Sequence, residues 1–63
     1  MRLYHLTFRN KADEIVADVA LPFASRVAAV VAAAKLLKEN DTYRSVDLND
    51  GKGFTYRLDA RDV

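Results

Sequence analysis

Apolar and polar residues alternate with a period of two along residues 2–9. Tyr4, Leu6 and Phe8 fall on one side of an extended strand and His5, Thr7 and Arg9 on the other. The polar stretch Asn10-Lys11-Ala12-Asp13 interrupts the pattern, which resumes over residues 14–21. There Ile15, Ala17, Val19 and Leu21 share one side, and Glu14, Val16, Asp18 and Ala20 the other. Two such runs joined by a short polar reversal predict an antiparallel hairpin.

From Pro22 to Asn40 the period becomes helical. Pro22 has no backbone donor for a strand ladder and suits the first turn of a helix. Ser25 is the rival start, as an N-cap whose hydroxyl accepts from the first turn. Five of the eight residues from Ala28 to Lys35 are Ala, the strongest helix former. Lys35 and Lys38 complement the negative end of the helix dipole, and Asn40 is a suitable stop. At about 100° per residue, Phe23, Val27, Val30, Val31, Ala34 and Leu37 form one broad face, expected to cover a sheet. Ala29, Ala32, Ala33 and Leu36 then fall on the opposite side, where almost no charge appears. That side reads as a smooth seam for close helix–helix contact in a homodimer or with a partner.

Alternation returns weakly over residues 42–48, with Val46 and Leu48 inward and Tyr43, Ser45 and Asp47 outward. The stretch Asn49-Asp50-Gly51-Lys52-Gly53 is the clearest turn, because Asp-Gly supplies the positive φ of a tight hairpin. The last strand, residues 54–59, points Phe54, Tyr56 and Leu58 inward, and residues 60–63 read as a frayed tail. The predicted architecture is α+β: a two-layer β-β-α-β-β sandwich with one helix packed on a four-stranded, mainly antiparallel sheet. All 63 residues belong to a single domain.

Composition narrows the function classes. Half the residues are apolar (51%) and 30% are charged, which is a globular balance. Ten Lys/Arg against nine Asp/Glu leave a net charge of +1, far from the basic signature of a nucleic-acid binder. The chain has no Cys, so it holds neither disulfide nor thiolate metal site. No apolar run is long enough to span a membrane, and the N-terminus lacks the order of a signal peptide. A cytoplasmic protein is expected.

The chain carries no catalytic motif. His5 is the only His, which excludes a multi-His metal site, and it falls on the outer sheet face. No carboxylate is placed to orient it toward Ser25. Gly51-Lys52-Gly53 lacks the phosphate-loop pattern and is followed by a strand, not a helix. The sequence therefore predicts a non-enzyme without cofactor or metal. Sheet-based RNA readers display aromatics on the open face. Here Tyr4, Phe8, Phe54 and Tyr56 read as core, leaving Tyr43 outward among mixed charges. Direct nucleic-acid binding is not expected.

The layout resembles small phage-encoded inhibitors, anti-CRISPR proteins of the type I class. The resemblance lies mainly in the last third, YRSVDLNDG over 43–51 and FTYRL over 54–58, after an Ala-rich helix. It implies a non-catalytic inhibitor that docks on a nucleic-acid-handling surveillance complex. The residues themselves favour a protein-binding module whose outer face (His5, Thr7, Arg9, Tyr43, Asp47 and Arg57) meets a protein partner, with Tyr43 and Arg57 as anchors. The alternative is a small nucleic-acid-associated or regulatory subunit, for which a homodimer is one arrangement.

Overall fold

A computed structural model describes residues 1–62. Two strands, β1 (Arg2–Arg9) and β2 (Ile15–Phe23), lead into helix α1 (Arg26–Glu39), followed by β3 (Ser45–Asn49), β4 (Thr55–Asp59) and a single 3-10 turn at Ala60–Asp62. The four strands form one antiparallel sheet in the order β2-β1-β3-β4. The helix packs on one face of it, giving the α+β two-layer sandwich that the alternation predicts.

The β1–β2 reversal is organised by Asn10. Its Oδ1 accepts from the backbone N–H groups of Ala12 and Glu14, both at 3.0 Å. Asp13 takes the left-handed conformation (φ 63°), which Asp tolerates better than most residues. β2 runs two residues further than the alternation predicts, because Pro22 and Phe23 still pair with Leu3 and Arg2. Pro22 is admissible there because β2 is an edge strand. The pairing jumps from Phe8↔Ala17 to Arg9↔Ile15, so Val16 is the extra residue of a β-bulge.

Ser25, not Pro22, caps the helix. Its backbone is extended, its Oγ accepts from the Ala28 N–H at 3.1 Å, and its carbonyl accepts from the Ala29 N–H at 3.1 Å. The β3–β4 turn is built around Asp50, and Gly51 and Gly53 supply its positive φ angles of 74° and 99°.

The core consists of Tyr4, Leu6, Phe8, Ala29, Ala33, Leu37, Val46, Leu48 and Leu58. The connection from β2 to β3 must pass over β1, which lies between them. β1 presents two aromatic rings and a leucine toward the helix. The helix packs most extensively on β3, and Ala29 and Ala33, with no exposed surface, join Val46 and Leu48 of that strand and the β1 side chains in one buried cluster. The expected seam is therefore overturned. Ala29 and Ala33 form the buried contact, and Ala32 and Leu36 are half-buried beside it. Of the expected core face, Leu37 is buried and Phe23, Val30 and Ala34 are half-buried, whereas Val27 and Val31 are exposed.

The expected frayed tail is ordered through Ala60, whose N–H donates to the Arg44 carbonyl at 2.7 Å. Val63 lies outside the described residues.

Candidate functional site

Cross-strand partners share a sheet face, so the register assigns the outer surface. His5 lies beside Asn49, Thr7 beside Asp47, and Asp47 in turn beside Arg57. Together with Asp18 and Thr55 they line a shallow polar depression. Five of the six predicted partner-binding residues (His5, Thr7, Arg9, Asp47 and Arg57) are thus brought together on this face. Tyr43 is not. It precedes β3, in a turn where its N–H donates to the Asn40 carbonyl at 3.2 Å, and its ring stacks on Phe8 at 4.4 Å between centroids. The two-residue period fails at Tyr43 because residues 42–44 are not strand.

Arg9, Asp47 and Arg57 of the outer face pair with one another and with Asp13. Arg57 Nε lies 3.0 Å from Asp47 Oδ1, and Arg9 Nε lies 3.4 Å from Asp47 Oδ2. Asp13, in the β1–β2 turn, sits 3.5 Å from Arg9 and 3.8 Å from Arg57. The resulting quartet ties the hairpin tip across the sheet to β4. Nearby, Asp59 takes Arg44 and Arg61 at 3.3 and 3.2 Å. The Asp59 carboxyl is held below its ordinary range by the Arg61 backbone N–H first, then by the Arg61 side chain, against the opposing effect of burial. Arg57, the expected anchor, is thus already engaged by two carboxylates.

A different surface has the opposite character. Where α1 passes β4, Val27, Val30, Val31, Phe54 and Tyr56 line an open, almost wholly apolar cleft of about 290 Å³, with Arg26 at its rim. Val27 is 72% exposed, Val31 62% and Tyr56 46%. Tyr56 pairs with the buried Leu48, so it points to the helix side of the sheet as predicted, yet the narrow helix leaves it uncovered. Phe54 and Tyr56 stack nearly parallel, 6.5 Å apart and 13° from coplanar. The Arg26 guanidinium lies over Phe54 at 4.7 Å, a cation–π geometry. Among the described residues no carboxylate lies within 4 Å of Arg26.

Sequence reasoning missed this cleft because it placed Val27, Val31 and Tyr56 in the core. The available signal was arithmetic: one helix cannot cover four strands, so the flanks of the inner sheet face stay open.

Among the described residues, no group of three or more His, Cys, Asp and Glu side chains is placed to hold a metal ion. No helix among them is long and apolar enough to cross a membrane. Comparison with protein families, with characterised proteins and with solved structures finds no match for the chain.

Proposed function

We propose that the chain is a non-catalytic protein-binding module that docks through the cleft between α1 and β4. The observation that carries this reading is the contiguous exposure of Val27, Val31 and Tyr56 beside an arginine with no carboxylate within 4 Å among the described residues. Isolated exposed apolar residues are ordinary, but a patch containing a stacked aromatic pair and an Arg has the composition of an interface hot spot. The partner it fits offers a short apolar side chain for the cleft and an acidic neighbour for Arg26. Within this reading, the small phage inhibitors that the layout resembles supply the expected partner class: a protein surface on a cytoplasmic nucleic-acid-handling complex. The outer face supports a nucleic-acid contact less well, because Arg9 and Arg57 are both engaged by Asp47 and Asp13.

The test is affinity capture from a lysate of the cells that make the protein, with variants of both surfaces run in parallel. Val31→Glu and Tyr56→Ala lose the captured protein while Arg57→Ala keeps it. A partner retained by the first two variants and lost with Arg57→Ala contradicts the proposal.

A further inference from the structure

Asp50 is the one charged residue that is buried among the described residues, and its side chain has no exposed surface. A carboxylate is tolerated there only where hydrogen bonds replace its water. Its Oδ1 accepts from the Lys52 N–H at 2.7 Å and from the Phe54 N–H at 3.1 Å. Its Oδ2 faces Arg2 of β1 at 3.4 Å. The Asp50 N–H in turn donates to the Phe54 carbonyl at 3.3 Å. One residue therefore holds both main-chain polar groups of Phe54. The sheet does not, because the β3–β4 register ends at Asn49↔Thr55 and Phe54 lies beyond that last cross-strand pair. The turn in between has two glycines with open space around them, so it is not braced by packing at those positions.

The setting of Phe54 decides the shape of the cleft. Its ring meets the buried Tyr4 edge-to-face at 6.5 Å, stacks on Tyr56 and lies under the Arg26 guanidinium. Aromatic pairs and cation–π contacts depend on centroid distance and tilt, so a displaced ring loses them together. We propose that Asp50 is the positioning residue of the α1–β4 cleft. Its Oδ1 fixes the Phe54 main chain, and thereby the ring that holds Arg26 at the mouth. The place of that oxygen matters here more than the charge, because both main-chain donors meet Oδ1 whereas Arg2 meets Oδ2. This role rests on the docking reading of the cleft given above.

NMR of the folded protein reads this role without a partner. A side chain over a ring face is shifted upfield by the ring current, so the Arg26 δ-methylene resonates upfield of an exposed arginine. Asp50→Asn keeps an oxygen at the same reach and keeps that shift. Asp50→Glu keeps the charge but carries its oxygens one methylene further, and the shift is lost. Asp50→Ser, whose oxygen stops one atom short, loses it as well, so the contrast does not hang on the folding of one variant. Asp59→Glu makes the same exchange at the far end of β4, where Asp59 accepts from the Arg61 N–H at 2.9 Å, and leaves the Arg26 shift unchanged. Capture follows the same order: the protein that Val31→Glu loses is retained by Asp50→Asn and lost by Asp50→Glu. An Arg26 shift that survives in Asp50→Glu and Asp50→Ser, or that disappears in Asp50→Asn or Asp59→Glu, overturns the positioning role. A captured protein that Val31→Glu retains overturns the docking reading instead, and the Arg26 shift still decides whether Asp50 positions Phe54.

Discussion

The Arg26 guanidinium carbon lies 4.7 Å above the centre of the Phe54 ring, which fixes a cation at the mouth of an apolar cleft. Arg26 is the first residue of α1, where positive charge opposes the helix dipole by about 0.3–1 kcal/mol. The cation–π contact returns about 0.5–1 kcal/mol at an exposed site. The two terms nearly cancel, so Arg26→Gln leaves the unfolding free energy within about 0.5 kcal/mol of the parent. Capture of an acidic partner nevertheless falls. Urea titration beside a binding assay separates the two effects, and parallel losses of stability and binding contradict this role for Arg26.

Ala33 has no exposed surface while Val31, two residues earlier, is largely open to solvent. Enlarging the first overpacks the helix against the buried core, and overpacking costs about 1–3 kcal/mol. Ala33→Leu lowers the unfolding free energy by that amount. Val31→Ala, at a surface position, changes it by less than about 0.5 kcal/mol. Chemical denaturation of the two variants reads this contrast directly, and the reverse order would put the helix in the other rotation.

The element order, the strand alternation and the Asp-Gly turn were legible in the sequence because each depends on local chemistry. Helix rotation was not. Hydrophobicity ranks Val above Ala, but the face that is buried is decided by how closely the helix approaches the sheet, and there Ala29 and Ala33 are fully covered while Val27 and Val31 are not. The outer-face grouping of His5, Thr7, Arg9, Asp47 and Arg57 followed from period-two alternation. That Arg57 is held by Asp47 and Asp13 did not, because it depends on strand order and on where the 10–14 turn lands.

Asp47 accepts from both Arg9 and Arg57, but all three side chains are partly exposed, which limits the value of the pairs. Asp47→Asn costs about 1 kcal/mol or less at low salt, and the cost shrinks as salt rises. Thermal unfolding at low and high ionic strength measures this. A large, salt-independent loss would show that Asp47 acts through packing instead.

Asp50 is the structural acid of the β3–β4 turn. The Lys52 backbone N–H donates to it at 2.7 Å and the Phe54 N–H at 3.1 Å, with Arg2 3.4 Å away. The Lys52 bond is the largest influence; burial opposes it, and the Phe54 bond, Arg2 and Arg26 add to it, with the net result that the carboxyl sits below its ordinary value of 3.8. A carboxyl depressed in the folded state contributes stability that is present above the unfolded pKa and lost as pH falls through the folded value. Stability therefore drops as the solution is acidified below about pH 4. Asp50→Asn flattens that acid limb while lowering stability at neutral pH. An unchanged pH profile in the variant would remove Asp50 from this role.

The central claim, that the α1–β4 cleft is the docking surface, is tested most directly by site-specific photocrosslinking in the producing cells. A benzophenone amino acid replaces Val31 in one variant and Thr7, on the opposite sheet face, in another. Docking through the cleft gives a covalent adduct with a cellular protein at position 31 and none at position 7. An adduct at position 7 with none at position 31 would contradict it.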